Sequence, residues 1–375
     1  MRITFVLPTA NMCGGIRVVA IYAKALAERG HRVVLVSPPA PPVPLSRKVK
    51  DLMMGRGWTR SAPPPSHFDG MGLDHRVLES YRPIGDDDLP EADVVIATWW
   101  ETAEWVSRLA PRKGKKAYFI QHHEIHPYLP VERCRATYRM PLRKIVIARW
   151  LADVMRDEYD DDDVDLVPNS VDHDLFFAPQ RGRQPVPTVG FLYSCSSYKG
   201  VDVTLAAIEK LRALHPDLRV ISFGSAQPDW SAATAASIEF HFSPRQAELR
   251  GLYAQCDLWM TASRSEGFNL PAMEAMACRT PVVSTRAGWP MEAIVDGKNG
   301  FLTEVDDVDA LAVAATRILS LGDADWRALS DNAFATVKDS SWARSCDLFE
   351  QALIRLSSKA GDAQGAKSSS SIVHS

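Results

Sequence analysis

The segment best suited to bind a ligand is S-E-G-F-N-L-P-A-M-E, residues 265–274. It follows the strand-like run D-L-W-M-T-A-S, and Pro271 suits the first turn of a helix, where its missing N–H costs nothing. The backbone amides just before that helix would point out of its N-terminus, which makes an anion site suited to a diphosphate. The predicted diphosphate-binding residues are Gly267, Phe268, Asn269 and Leu270.

Two carboxylates belong to the same segment. Glu266 lies at the predicted end of the strand, where it can accept hydrogen bonds from sugar hydroxyls. Glu274 lies about one turn into the helix, and we expect it on the exposed rim, where it would accept both hydroxyls of a ribose. The alternative is that Glu274 only interacts with the helix dipole.

A cationic candidate lies further upstream, after the predicted strand T-V-G-F-L-Y-S. Lys199 precedes a predicted helix, where its charge makes it a candidate ligand-binding residue. The alternative is a solvated lysine at the start of a helix.

Two short segments of the first half also follow predicted strands. Gly14 and Gly15 separate the first strand from the first helix, where glycine lets a ligand approach the backbone closely; the alternative is an ordinary tight turn. Q-H-H-E, residues 121–124, ends another strand. Adjacent side chains on a strand point in opposite directions, so the sequence leaves open whether His122 or His123 faces a ligand and whether either contacts it directly.

Strands alternating with helices must position these residues. This rhythm predicts an α/β fold with two Rossmann-like, doubly wound parallel-sheet domains facing a central cleft, with ligands outside the carboxyl ends of the strands. The predicted parts are a first domain over 1–172, with an irregular proline-rich excursion over 38–90, a second domain over 186–340, a helix over 341–356 that packs back on the first domain, and a disordered tail over 357–375.

Composition and charge exclude several classes of protein. The chain has 375 residues, a net charge of −3 and no apolar run long enough to span a membrane. Its six scattered cysteines lack the spacing of a zinc site and favour reduced thiols in a cytoplasmic enzyme. The acidic runs 86–88 and 160–163 are expected to be solvated turns, so no metal site is predicted. No nucleic-acid-binding motif is present.

One stretch is strongly basic. Residues 108–149 hold 11 basic and 2 acidic residues, a net charge of +9. We interpret part of it as a basic helical face that contacts an anionic membrane or a lipid-linked acceptor, aided by an apolar helical face over 45–60; the alternative is a solvated face. The basic residues concerned are Arg133, Arg135, Arg139, Arg143 and Lys144.

The motif E-G-F-N-L-P-A-M-E-A-M-A resembles the E-x7-E signature of the retaining glycosyltransferases of family 4, which have the GT-B fold. V-P-N-S-V-D-H-D-L-F is similar to the interdomain segment of that family, with Ser170 in place of the usual glycine. The resemblance covers roughly residues 1–350. G-G-I-R-V-V, A-Y-F-I-Q-H-H-E and V-G-F-L-Y-S are most similar to the subgroup that transfers 6-deoxyhexoses such as rhamnose.

The resemblance implies metal-independent transfer of a hexose, such as rhamnose or mannose, from a nucleotide-diphosphate sugar to a saccharide or lipid-linked saccharide acceptor in cell-surface polysaccharide synthesis. No other cofactor is implied, and the enzyme would work in the cytoplasm or at the inner face of its membrane. The candidate catalytic residues are Glu266, Lys199, His122 and His123.

In the family a lysine at the position of Lys199, often with an arginine just after the preceding strand, neutralises the donor diphosphate as a mobile point charge. F-L-Y-S, residues 191–194, stands in place of that arginine in this chain, so Lys199 would have fewer helpers and would be assisted by the hydroxyl of Ser194. The alternatives are another GT-B chemistry, such as a nucleotide-sugar epimerase or a phosphorylase, and a non-catalytic sugar-nucleotide-binding protein.

Overall fold

The computed structural model describes residues 1–41, 53 and 65–358. The chain divides into two compact units. The first comprises Met1–Ile147, Leu151–Val167 and the chain from Ser345 onward; the second comprises Ala148–Trp150 and Pro168–Arg344. The apolar helical face predicted over 45–60, apart from Met53, and the predicted tail from 359 lie outside the described residues.

A seven-stranded parallel sheet forms the centre of the first unit, in the order β3-β2-β1-β4-β5-β6-β7. Its central strands are buried on both faces, and the four side chains of β4 are completely inaccessible. In chain order the elements are β1 (Arg2–Val6), α1 (Gly14–Glu28), β2 (Arg32–Ser37), β3 (Asp74–Val77), β4 (Val94–Ala97), α2 (Trp100–Arg108), β5 (Lys115–Ile120), α3 (Val131–Tyr138), β6 (Arg143–Val146), α4 (Arg149–Tyr159) and β7 (Asp165–Leu166).

The sequence prediction was wrong at two places in this sheet. The excursion over 38–90 contains β3, which pairs with β2 at the edge of the sheet. Its sequence D-H-R-V is polar because it is largely exposed, so it lacks the apolar pattern of a buried strand. The basic stretch is also not one helical face, because β6 lies between α3 and α4 and pairs with β5.

The second unit is built on a six-stranded parallel sheet in the order β10-β9-β8-β11-β12-β13. Its elements are β8 (Thr188–Leu192), α5 (Val201–Leu214), β9 (Arg219–Gly224), α6 (Ala232–Ala236), β10 (Glu239–Phe242), α7 (Gln246–Ala254), β11 (Leu258–Thr261), α8 (Leu270–Ala277), β12 (Val282–Thr285), α9 (Pro290–Ala293), β13 (Gly300–Thr303), α10 (Val308–Leu319) and α11 (Asp323–Val337). The strand order reverses between β8 and β11, and ligands of open α/β sheets bind at such a switch point.

A last helix, α12 (Trp342–Ser358), ends the described chain. It extends two residues beyond the predicted helix end, so residues 357 and 358 are helical and not part of a tail. From Ser345 onward it belongs to the first unit, where Phe349 stacks on Tyr22 with ring centroids 4.5 Å apart.

Two parallel-sheet, Rossmann-like units confirm the predicted α/β class. Of the helices that the structure describes, none combines the length and the apolar character needed to span a membrane.

Candidate functional site

Two loops of the second unit lie side by side because β8 and β11 are neighbours in the sheet. The loop after β8 leads to Lys199, and the loop after β11 leads to Glu266. The carbonyl of Tyr198 accepts the backbone N–H of Arg264 at 2.7 Å. Gly200 has a φ of +62°, and a Cβ there would lie 1.9 Å from the carbonyl oxygen of Ala262, so only glycine fits this approach.

Lys199 and Glu266 form a partly buried ion pair at the meeting point of these loops. The Nζ of Lys199 donates to Oε1 of Glu266 at 2.7 Å, and the hydroxyl of Ser263 donates to the same oxygen at 2.8 Å. The two paired side chains are 22% and 8% exposed. The structure therefore brings together two candidates that are 67 residues apart in the chain.

The helix predicted after this loop begins as expected. α8 starts at Leu270 with Pro271 in its first turn, and Asn269 is the N-cap residue, in the left-handed conformation with a φ of +78°. The side chain of Asn269 accepts the N–H of Ala272 at 3.4 Å and donates to the hydroxyl of Thr261 at 3.1 Å. The amide side chain thus fixes the entry of the chain into the helix.

The orientation of the loop amides is set by bonds to their carbonyls. The carbonyl of Gly267 accepts the indole N–H of Trp150 at 2.8 Å, and that of Phe268 accepts the N–H of Trp289 at 2.8 Å. In a trans peptide the N–H points opposite to the carbonyl, so the amides of Phe268 and Asn269 point away from these two donors. The loop is therefore held in one conformation, as an anion site requires.

Glu274 is not on the exposed rim, and that prediction was wrong. Its side chain is 3% exposed, and Oε2 accepts the hydroxyl of Tyr253 at 2.9 Å. The reason is that α8 is buried on nearly all sides, as its apolar sequence L-P-A-M-E-A-M-A allows. A ribose contact of Glu274 stays a prediction, and it would form in a buried setting.

A small pocket adjoins the ion pair. It is formed by the ends of β8 and β11 and the start of α8, and it is lined in part by Lys199, Glu266, Ser263, Thr261 and Asn269. The pocket therefore combines a cation, a carboxylate, two hydroxyls and an amide, groups that can bind phosphate and sugar oxygens.

Tyr193 belongs to the four residues, F-L-Y-S at 191–194, that stand where the family often has an arginine. Tyr193 packs against Trp230 and Phe240, with ring centroids 5.2 Å and 5.8 Å away. The hydroxyl of Ser194 accepts the N–H of Ser196 at 3.2 Å and so shapes the loop. Assistance of Lys199 by Ser194 stays a prediction.

In the first unit, the glycine pair forms the first two residues of α1. Neither glycine has a positive φ, so backbone strain does not explain them. A Cβ at Gly14 would meet no atom within 4 Å, whereas one at Gly15 would lie 3.5 Å from the amide of Gln121, which itself donates to the carbonyl of Gly15 at 3.2 Å. Contact with a ligand stays a prediction for both residues.

The two histidines differ in burial. His123 is buried, with Nε2 2.7 Å from the hydroxyl of Tyr159, and its ring packs against Tyr138; burial lowers its pKa. His122 is half-buried, with Nδ1 2.9 Å from the carbonyl of His123 and its ring 4.7 Å from that of His126. His123 is thus part of an aromatic cluster inside the first unit, and His122 is the more exposed of the two; contact with a ligand stays a prediction for both.

Sequence reasoning missed the burial of Glu124, the next residue. This carboxyl accepts the N–H of Trp100 at the start of α2 at 3.0 Å and the hydroxyl of Tyr118 at 3.3 Å. It is buried, and burial raises its pKa well above the usual range of a glutamate. The available sequence signal was its position four residues after the end of a strand whose last four residues are buried.

The basic stretch is largely neutralised within the first unit. Arg133 pairs with Glu104 at 2.7 Å, and Arg135 pairs with Glu158 at 3.1 Å. Arg139 packs on the ring of Tyr159. The net charge of +9 counted along the sequence therefore overstates the charge that this surface presents.

The sequence predicted that the two acidic runs are solvated turns, but several of their carboxylates form ion pairs. Asp161 pairs with Lys144, and Asp163 pairs with Arg143. In the other run, Asp88 pairs with Arg82 at 2.6 Å. Within the described ranges, no group of three or more His, Cys, Asp or Glu side chains is arranged to hold a metal ion.

Comparisons with known proteins agree with this architecture. Residues 13–175 match the family model "Glycosyltransferase Family 4", and residues 186–321 match "Glycosyl transferases group 1". Among solved structures, sucrose-phosphate synthase from Thermosynechococcus elongatus is similar, with a TM-score of 0.72 and 17% identity over 95% of this chain and 99% of that one. Anabaena Alr3699/HepE in complex with UDP and glucose gives a TM-score of 0.70, with 17% identity over 94% and 99%. The fold is therefore GT-B.

Curated relatives include the D-inositol 3-phosphate glycosyltransferase of Stackebrandtia nassauensis, 30% identical over 52% of this chain and 50% of that protein. The MMP alpha-(1->4)-mannosyltransferase of Mycolicibacterium hassiacum is 29% identical over 75% and 66%. This chain thus aligns with about half the length of the first of these relatives. Because glycosyltransferase family models match both halves of the chain, it belongs to glycosyltransferase family 4.

Proposed function

We propose that this protein is a retaining glycosyltransferase that transfers a hexose from a nucleotide-diphosphate sugar to a saccharide acceptor. The observation that carries the proposal is the pairing of Lys199 with Glu266 beside the ordered N-terminus of α8. A cation and oriented amides suit the leaving diphosphate, and a carboxylate suits sugar hydroxyls. Family membership supports the same assignment.

In this function the protein stabilises charge as the bond between the sugar and the diphosphate breaks. Negative charge develops on the departing diphosphate, and the amides of 267–270 with Lys199 would stabilise it without a metal ion. Glu266 would orient the sugar through its hydroxyls. Retention of configuration is what the family resemblance implies.

The proposal also concerns the identity of the transferred sugar and of the acceptor. We favour mannose or a 6-deoxyhexose such as rhamnose as the sugar, and a saccharide or lipid-linked saccharide in cell-surface polysaccharide synthesis as the acceptor. The named mannosyltransferase relative supports the first choice of sugar. The motifs G-G-I-R-V-V and A-Y-F-I-Q-H-H-E support the second.

We also propose peripheral contact with an anionic membrane. Ion pairs occupy several of the basic side chains on which it was based, including Arg133 and Arg135. Any remaining attraction would be weak and screened by salt. Co-sedimentation with phosphatidylglycerol vesicles at low and high salt tests it; sedimentation no greater than with neutral vesicles at low salt would exclude it.

A donor screen tests the main proposal. The protein is incubated with UDP-, GDP- and dTDP-hexoses, with and without saccharide acceptors, and the released nucleoside diphosphate and the glycosylated product are measured. An epimerase would instead convert one sugar nucleotide into its isomer. A non-catalytic binding protein would bind a nucleotide and turn over no donor, and either result would overturn the proposal.

A further inference from the structure

Arg264 links three parts of the second unit through its side chain. Its guanidinium donates to the carbonyl of Ser197 at 2.6 Å, to both carboxylate oxygens of Asp202 at 3.0 Å and 2.7 Å, and to Asp306 at 2.6 Å. Ser197 lies in the loop after β8, Asp202 in the first turn of α5, and Asp306 just before α10. The fork geometry of arginine is what allows one side chain to make these bonds.

The same residue holds the loop through its backbone. The N–H of Arg264 donates to the carbonyl of Tyr198 at 2.7 Å. Backbone and side chain together thus bind the carbonyls of the two residues before Lys199 and, through Asp202, the helix three residues after it. Lys199 lies on the short segment between these attachments.

The guanidinium does not replace the arginine that the family carries at the end of the strand before Lys199. Four of its five N–H groups are used by Ser197, Asp202 and Asp306. The pairing also lowers the pKa of Asp202, as expected for a carboxylate bound to a guanidinium. Most of the side-chain N–H groups of Arg264 are therefore hydrogen-bonded to other residues of the protein.

We propose that Arg264 is a positioning residue that sets the place of Lys199 at the donor diphosphate. The inference rests on the proposed function. It follows from the departure over residues 191–194: with no arginine in F-L-Y-S, Lys199 carries the neutralising charge with fewer helpers, so its position matters more. A displacement of about 1 Å at a catalytic group can reduce a rate by about a hundredfold.

The test is a double-mutant cycle between Arg264 and Lys199. Arg264→Ala should lower kcat/KM for the donor at least tenfold, while Arg264→Ala added to Lys199→Ala should change kcat/KM less than about twofold. A residue that acts through the lysine has nothing left to position once the lysine is gone. Equal losses in both backgrounds, or no loss in the single variant, would overturn the inference.

Arg219→Ala is the matched control. Arg219 also forms an exposed ion pair, but it is the first residue of β9 and so lies at the amino ends of the strands, opposite the Lys199 loop. This variant should leave kcat/KM unchanged. If Arg264→Ala does not fold, Arg264→Lys carries the same cycle, since lysine keeps the charge but cannot form the fork; activity equal to the wild type would then refute the role. Absence of turnover by the wild-type protein with every donor would instead refute the proposed function, and the inference with it.

Discussion

Replacement of Glu266 by glutamine should move nucleotide binding and turnover in opposite directions. Oε1 of Glu266 accepts both Lys199 and Ser263, so a diphosphate must compete with this carboxylate for the lysine. Glutamine keeps an oxygen for both donors but removes the negative charge. Lys199 is then easier to recruit, while the sugar loses a charged partner.

The magnitude follows from the difference between two kinds of hydrogen bond. A bond to a charged group contributes about 1.5–3 kcal/mol, and a neutral one about 0.5–1.5 kcal/mol. The side chains of Lys199 and Glu266 are 22% and 8% exposed, so solvent screens the pair only in part. A difference of about 1–1.5 kcal/mol predicts that Glu266→Gln binds a nucleoside diphosphate about five- to tenfold more tightly.

Titration calorimetry with UDP, GDP and dTDP measures the affinity, and steady-state kinetics with the matching sugar nucleotide measures kcat, which should fall at least tenfold. Glu239→Gln is the control, since Glu239 pairs with Arg219 away from the loops and should change neither quantity. Affinity that is equal to or weaker than that of the wild type would show that the carboxylate does not compete for Lys199, and the reasoning would be wrong.

Four further predictions concern single groups and the absence of a metal. Lys199→Ala should lower kcat more than it weakens nucleoside diphosphate binding, because the lysine stabilises charge that develops in the transition state; kinetics and calorimetry compare the two. Glu274→Gln, which keeps an acceptor for Tyr253 and so spares the fold, should weaken nucleoside diphosphate binding through loss of a charged ribose contact, which calorimetry measures. Turnover should persist in EDTA, since the helix amides and a lysine supply the electrostatics. Glu124→Gln should raise Tm relative to the wild type more at pH 8 than at pH 4: burial raises the pKa of the folded state, so this carboxyl's contribution to stability is full below its unfolded pKa and is lost as the pH rises.

Each of these has a result that contradicts it. A kcat within about threefold of the wild type would make Lys199 a surface lysine. Unchanged nucleotide affinities in Glu274→Gln would remove the ribose contact. Loss of activity on chelation, restored by magnesium or manganese, would show that the diphosphate site is misassigned. A difference in Tm that does not depend on pH would mean that Glu124 titrates normally.

The parts of the site that local chemistry encodes could be predicted from the sequence. Pro271 predicts the first turn of a helix, and the structure places the start of that helix at Leu270. The pairing of Lys199 with Glu266 was beyond reach, because it depends on β8 lying beside β11 in the sheet. The burial of Glu274 likewise depends on Tyr253, which comes from α7.

Charge was the property that the sequence represented least well. A count along residues 108–149 suggests a basic face, but β6 divides the stretch and acids from elsewhere pair with its side chains. Glu104 and Glu158 are close to Arg133 and Arg135 only in the folded unit. Linear charge density predicts a surface potential only where the chain does not fold back on itself.

The absence of the family's arginine after β8 offers one explanation for the contacts that fix the backbone around Lys199. Without an arginine among residues 191–194, the cation of this loop is Lys199, and it is paired with Glu266. A long flexible side chain that can bind either a carboxylate or a phosphate is selective only if its backbone is fixed, since otherwise each exchange costs ordering entropy. Two residues fix this backbone. Gly200 stands at a position that only glycine can occupy, and Arg264 binds the carbonyls of Ser197 and Tyr198. If the proposed function is correct, the lysine exchanges its carboxylate partner for the diphosphate by rotation of its side chain alone.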